Sequence, residues 1–251
     1  MPETAVVLCG GLAKRMRPLT ETIPKCMAPL GLAGGRPLLD YHLEMMDAAG
    51  VKHIILAAGY RHEVIGDYYG KDSFVYSVED KPLGTGGAVR KALGHVKEGE
   101  FFVVNGDDVF PDMDLGDFGR KCSGNNALVS SRFPQQYGIV VSDGMGNITS
   151  FKQKPVLHDV WANTGIYLFQ RNIALPEVGD FETTTFPELV KSGSMKEHRY
   201  NGRWLSLNTE KDLGAANKAL TERPVVFNSR KACVQDYTDW IQKEAAHIAS
   251  T

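Results

Sequence analysis

Three short stretches carry residue types that can handle charged ligands. The first is VVLCGGLAKRMRPLTETIPK, residues 6–25. An apolar run ends in Gly10 and Gly11, and Lys14, Arg15, Arg17 and Pro24-Lys25 follow. Glycines let backbone N–H groups close on an anion, and Arg15 and Lys25 can neutralise it. The stretch is not a Walker loop, because GxxxxGK[ST] is absent. It is not a dinucleotide fingerprint either, because Gly10-Gly11-Leu12-Ala13 breaks G-x-G-x-x-G. The plain alternative is a strand-to-loop turn with solvated cations.

The second stretch is EDKPLGTGGAV, residues 79–89. Gly84 and Gly86 can let the backbone approach a flat ring. The two oxygens of Glu79 can pair with a guanine edge, which offers two adjacent donors. Read blandly, it is a glycine-rich helix start with Glu79 in solvent. The third is FFVVNGDDVF, where an apolar strand ends at Asn105-Gly106 and delivers Asp107 and Asp108. Carboxylates at a strand tip beside phosphates suit Mg²⁺, a hard cation that prefers oxygen. An Asp-rich turn is the bland counterpart.

The surrounding elements must bring these stretches together. Apolar runs at Ala5–Cys9, His53–Ala58, Phe74–Val78, Phe101–Val104 and Ala127–Ser131 read as strands. Pro37–Ala49, His62–Tyr69 and Gly87–Val96 read as helices between them. That alternation predicts an α/β fold with a mostly parallel sheet and helices on both faces. In such sheets ligands bind beyond the carboxyl ends of the strands, where all three stretches fall. Beyond about residue 133 the pattern changes. YGIVVSDGMGNITSFKQKP reads as a hairpin turning at Asp143–Gly146, Trp161–Phe169 as a strand with all three aromatics in the core, and TTTFPELVKSG as a short helix. Thr209 with Asp212 resembles a capping box for a helix to about Leu220, and Ser229–Ile248 reads as a last helix. The second half is expected to be a smaller α+β lobe packed on the first.

Bulk properties exclude several classes. The 251 residues are 43% hydrophobic, which suits one globular unit with an added lobe. Formal net charge is −2, so no basic surface for nucleic acid is implied. The four cysteines form no CxxC, so reduced, buried thiols are expected rather than zinc or disulfides. The seven histidines show no ligand-like spacing. There is no cationic leader and no span apolar enough for a bilayer, so a soluble cytoplasmic protein without a membrane partner is expected.

Taken in order, the stretches resemble the sugar-nucleotidyltransferases, or nucleoside-diphosphate-sugar pyrophosphorylases. The family signature G-G-x-[GA]-x-R-[ML]-x-P-L-T-x-x-x-P-K is matched from Gly10 to Lys25. PLGTGGA looks like the family's base-binding turn, Asn105-Gly106-Asp107 like its metal-binding strand end, and FKQKP like F-x-E-K-P. NTGIYLF looks like its N-x-G-x-Y strand, and RWLSLNTEKDL like W-x-D-x-G-T-x-x-D-L. The resemblance implies a Rossmann-like mixed sheet flanked by helices, with a smaller α+β sugar-binding lobe and no left-handed β-helix domain. It divides the chain into a nucleotide-binding core (1–133), a sugar-phosphate lobe integrated with it (134–222) and a helical extension (223–251).

The resemblance also implies a reaction. A sugar-1-phosphate oxygen attacks the α-phosphorus of a nucleoside triphosphate in line, pyrophosphate leaves, and no covalent enzyme intermediate forms. Arg15, Lys25 and Asp107 are the implied catalytic residues, with Arg15 and Lys25 in an exposed loop. Leu8, Gly10, Gly11, Glu79, Gly84, Thr85 and Gly86 would bind the nucleotide. Tyr137, Gly138, Gln153, Lys154, Asn163 and Gly165 would bind the sugar phosphate. The implied cofactor is Mg²⁺ on Asp107. Ser206 stands where the family has a second metal aspartate, and Gln153 where it has a glutamate. Asp108, or waters and phosphates, can complete the metal shell in place of the weakly ligating Ser206. The family commonly self-associates, which allows a homo-oligomer. PKCMAPL, GRPLLDYHLEMM, AAGYRHEVIGDYYG and YSVEDKPLGTGGA look most like hexose- and heptose-1-phosphate guanylyltransferases, which favours GTP. UTP, dTTP or CTP, and a non-catalytic regulatory homologue, are the alternatives. A glycosyltransferase of the GT-A type would need a D-x-D that DDVFPD does not place at the strand end.

Overall fold

A computed structural model describes residues 1–31, 35–133, 135, 137–226, 237 and 239–243. Strands β1 (Thr4–Leu8), β4 (His53–Ala58), β5 (Val75–Val78), β6 (Glu100–Asn105), β8 (Asn126–Ser131), β11 (Ala162–Gln170) and β12 (Met195–Tyr200) form one sheet. Its order is β12-β8-β11-β6-β1-β4-β5. All neighbours run parallel except β11, which is antiparallel to both β6 and β8. The short pairs β2 (Pro29–Leu30) with β3 (Arg36–Pro37), and β7 (Asp108–Val109) with β13 (Leu205–Ser206), lie outside it. So does the hairpin β9 (Ile139–Ser142) and β10 (Ile148–Lys152). The helices are α1 (Leu38–Ala48), α2 (His62–Tyr69), α3 (Gly84–Ala92), α4 (Leu115–Cys122), α5 (Thr185–Lys191) and α6 (Glu210–Glu222).

The two faces of the sheet follow from the two-residue strand period. Ala5, Val7, Phe102 and Val104 pack with Leu39, Leu43 and Met46 of α1 and Phe118 of α4. The alternate residues Val6, Phe101, Val103, Tyr167 and Phe169 pack with Ala88, Val89 and Ala92 of α3 and Phe186 of α5. With both faces covered, the central strands are apolar throughout, as FFVV suggests. The register Leu8↔Ala57 and Leu8↔Asn105 brings the ends of β1, β4 and β6 level. That common edge is where the informative stretches emerge.

Several elements depart from the sequence expectation. β12 and α4 were not anticipated. MKEHRY is polar and half exposed, so its pattern carries no strand signal. LGDFGRKC holds two glycines, and its start is set by the Asp114 carboxylate, which accepts from the Asp117 N–H at 2.7 Å. α3 starts at Gly84 rather than Gly87. Trp161 is not core; the guanidinium carbons of Arg132 and Arg199 lie 4.6 and 4.7 Å from the centre of its ring. The Thr209 cap is present, its hydroxyl accepting from the Asp212 N–H at 3.2 Å. Most of the expected tail helix lies outside the described residues. Residues 237 and 239–243 are helical, and the Tyr237 hydroxyl donates to the Met27 carbonyl. No helix among the described residues is long and apolar enough to cross a membrane.

His42 of α1 gives the fold an acid-sensitive point. It is 1% exposed, its Nε2 has no partner, and burial pushes its pKa down to about 4 from 6.5. Between those values the unfolded chain binds a proton that the folded chain refuses, so stability falls as pH drops. By pH 4.5 the loss attributable to His42 is about 2–3 kcal/mol. Urea unfolding at pH 7.5 and 4.5 checks this. His42→Leu should lose less stability across that interval than the unchanged chain, and equal losses would reject it.

Candidate functional site

A cavity of about 510 Å³ opens at the carboxyl edge of β1, β4 and β6. Leu8, Cys9, Ala57 and Ala88 supply its apolar wall. Gly10 and Gly11 continue from β1 on its rim. A Cβ at Gly10 would lie 3.3 Å from the Gly59 nitrogen, whereas Gly11 faces open space. At Ala13 the backbone is left-handed (φ 42°), a conformation that residues with a Cβ rarely adopt. There the chain turns into a short 3₁₀ segment, Lys14–Met16, which buries Met16 and leaves Arg15 exposed beside the cavity.

A second 3₁₀ segment, Lys25–Met27, follows Pro24. It anchors Cys26 and Met27 in the interior and turns Lys25 to the cavity. The Lys25 side chain is only 12% exposed and pairs with Asp107 at 3.1 Å. This corrects the expectation of an exposed loop for Lys25; it holds for Arg15 alone. Both residues nonetheless line one cavity with Asp107.

The two aspartates after β6 divide their work. Gly106, just before them, lets the chain pass close to β1: its N–H donates to the Leu8 carbonyl at 2.9 Å, and a Cβ there would meet that oxygen at 2.8 Å. Asp107 faces the cavity. Asp108 is buried, and burial, then the neighbouring Asp107 charge, pushes its pKa up. Its two oxygens accept from Trp204 Nε1 at 2.7 Å and the Leu207 N–H at 3.2 Å. Asp108 therefore fastens the 204–207 segment and does not line the cavity. Ser206 does not line the cavity either; its hydroxyl accepts from Asn208 Nδ2 at 2.8 Å.

Glu79, Gly84 and Thr85 also line the cavity. One Glu79 oxygen accepts from the Leu83 N–H at 3.0 Å and so fixes the turn into α3. The glycines of this turn serve the chain's own packing. A Cβ at Gly84 would meet Gly179 at 2.7 Å, at Gly86 Pro176 at 2.5 Å, and at Gly87 the Glu177 carbonyl at 2.5 Å. Gly86 is thus tied under the 176–180 segment and does not line the cavity, which corrects its assignment to a flat ring. Gly84 and Thr85 remain on the lining.

The sugar-phosphate candidates are not on this cavity. Tyr137 and Gly138 precede the β9–β10 hairpin and Gln153 and Lys154 follow it. Gly138 makes room for the Phe151 ring, 2.8 Å from a Cβ placed there. Asn163 and Gly165 lie at the start of β11. Asn163 accepts from the Gly165 N–H at 3.1 Å and donates to the Tyr167 hydroxyl at 2.8 Å. Gly165 lies against Asn105, which lines the cavity and whose buried Oδ1 has no partner.

Sequence reasoning missed Asp180 and Asn208 on the lining. Asp180 accepts from the Thr85 N–H at 3.0 Å, and Asn208 accepts from Arg15 Nη2 at 2.9 Å. Both pair across long stretches of chain; Asn208 lies within the RWLSLNTEKDL stretch, whereas no motif marks Asp180. No cluster of three His, Cys, Asp or Glu side chains able to hold a metal occurs among the described residues. A cation held by Asp107 would complete its shell largely with substrate oxygens and water. That fits Mg²⁺, which commonly binds through one or two carboxylates and substrate phosphates.

Comparison with known proteins agrees with this architecture. The chain is 38% identical over 192 residues to a D-glycero-alpha-D-manno-heptose 1-phosphate guanylyltransferase of Campylobacter jejuni, covering 71% of this chain and 82% of that one. It is 35% identical over 231 residues to a mannose-1-phosphate guanyltransferase of Kluyveromyces lactis, covering 83% of this chain but 62% of that longer one. The crystal structure of HddC from Yersinia pseudotuberculosis complexed with GMP-PN superposes with a TM-score of 0.68 at 25% identity, over 87% of this chain and 100% of that one. The nucleotidyl transferase profile matches residues 4–223, so the glycine loop, both 3₁₀ turns and the Asp107 tip belong to one matched unit, and the chain is a member of the nucleotidyl transferase family.

Proposed function

We propose that the protein is a sugar-1-phosphate guanylyltransferase, joining GTP and a mannose- or heptose-type sugar-1-phosphate to give a GDP-sugar and pyrophosphate. The observation that carries this is the convergence of Gly10, Gly11, Arg15, Lys25, Glu79 and Asp107 on one cavity in a nucleotidyl transferase. The heptose and mannose guanylyltransferase relatives support the choice of base and sugar. A sugar-phosphate oxygen forms the new bond to the α-phosphorus, and the bond to the bridging oxygen breaks as pyrophosphate leaves with the electron pair. Arg15 and Lys25 offset the repulsion between two anions, which amounts to several kcal/mol at intermediate dielectric. When bound, Mg²⁺ supplies further charge neutralisation at the phosphates, and Asp107 would hold it.

We assign nucleotide binding to residues 1–133 and sugar-phosphate binding to 134–222. Tyr137, Gly138, Gln153, Lys154, Asn163 and Gly165 would form an adjoining subsite, joined to the cavity through the Gly165–Asn105 contact. The cytoplasm, where nucleoside triphosphates are held, is the proposed location. The deciding experiment measures pyrophosphate release with GTP, UTP, dTTP and CTP against a panel of sugar-1-phosphates. No release from any pair would reject the reaction.

Base choice is tested at Glu79. Guanine presents N1–H and its amino group side by side, which matches a carboxylate, whereas uracil offers one donor between carbonyls. One Glu79 oxygen is engaged by Leu83, so the side chain is already oriented at the cavity wall. Glu79→Gln is expected to weaken GTP use relative to UTP or dTTP by roughly 1–3 kcal/mol, a shift read from kcat/KM ratios. A wild-type preference for a pyrimidine triphosphate, or an unchanged ratio, would reject this base contact.

A further inference from the structure

We infer that Asn208, oriented by Ser206, is a positioning residue that holds the Arg15 guanidinium at the cavity for a polyphosphate. The phosphate role of Arg15 rests on the nucleotidyl-transfer reading. The positioning itself rests on geometry. Arg15 is exposed and would otherwise range over many rotamers. Its Nη2 donates to Asn208 Oδ1 at 2.9 Å. Arginine has no acceptor, so only the carbonyl end of the amide can face it. The amino end then points to the Ser206 hydroxyl, at 2.8 Å.

The backbone beneath this pair is fixed on both sides. Before Asn208, β13 pairs with β7, and Asp108 holds Trp204 and Leu207. After it, the Asn208 N–H donates to Asp212 Oδ2 at 3.1 Å, within the cap that opens α6. Asn208 is therefore a rigid post. In the pattern W-x-D-x-G-T, Ser206 and Asn208 occupy the aspartate and glycine places together. The two departures make one device: an acceptor without charge, and an amide that it aims at Arg15.

Calorimetric binding of inorganic tripolyphosphate to the full chain tests this in four forms: unchanged, Asn208→Ala, Arg15→Ala and the double variant. Asn208→Ala is expected to weaken binding roughly tenfold alone and less than twofold once Arg15 is gone, because the pair acts as one unit. Ser206→Ala should weaken binding roughly threefold, and Ser206→Thr, which keeps the hydroxyl, should restore it. If Asn208→Ala does not fold, the Ser206 pair decides alone. Equal weakening in both Arg15 backgrounds, no weakening by Asn208→Ala or Ser206→Ala, or no binding by the unchanged chain would overturn the inference. Coupled binding without pyrophosphate release from any substrate pair upholds the positioning and rejects the proposed reaction.

Discussion

Lys25→Ala is expected to lower turnover roughly a hundredfold or more, equivalent to about 2.7 kcal/mol of transition-state stabilisation. Lys25 is the cation set deepest among those on the cavity, with its side chain only 12% exposed. Charge placed there is poorly screened, so its removal is felt in full as charge redistributes around the α-phosphate in the transition state. The Asp107 ion pair is also lost. Asp107 is 48% exposed, so water takes over much of that interaction and the fold should persist. Saturating kinetics with melting temperatures separate the two effects. An unaltered melting temperature with near-normal turnover would remove Lys25 from the chemistry.

Asp107→Asn is expected to reduce divalent-dependent turnover by a comparable factor, roughly a hundredfold. Asp107 is the strand-tip carboxylate on the cavity, and Asp108 is committed to Trp204 and Leu207. An amide oxygen remains but carries no charge, so it is a poor ligand for a hard dication. The substitution also removes the negative charge 3.1 Å from Lys25, which leaves the cavity more positive. Triphosphate affinity should therefore fall less than turnover does. The readout is rate against Mg²⁺ concentration for both forms. Full activity of the unchanged protein in excess chelator, or matching Mg²⁺ curves, would reject the assignment.

The parts of this site that were legible in the sequence are local. Gly10 to Lys25 is one continuous stretch, and its glycines, cations and prolines each have a short-range reason to be there. The strands of the sheet were legible because burial on both faces leaves unbroken apolar runs. The illegible parts are long-range. The glycines at 84–87 answer to the 176–180 segment, and nothing within EDKPLGTGGAV reveals that partner. Asn208 meets Arg15 only because β13 and α6 deliver it there. The Asp107-Asp108 pair reads as two equivalent carboxylates until the fold shows that one is buried under Trp204. β12 hid because its residues are polar and its place in the sheet is set by β8.

The position of β11 has a consequence for how the chain is made. β8 (residues 126–131) has β11 and β12 as its neighbours, and both come later in the chain. β6 likewise waits for β11 on one side. A nascent chain released only as far as residue 133 would present FFVV along an unpaired edge and hold β8 with no neighbour. Such an edge invites pairing with other chains. The sheet closes only when residues 162–200 have emerged, so synthesis of this protein passes through a window in which the apolar edge of β6 is open to aggregation.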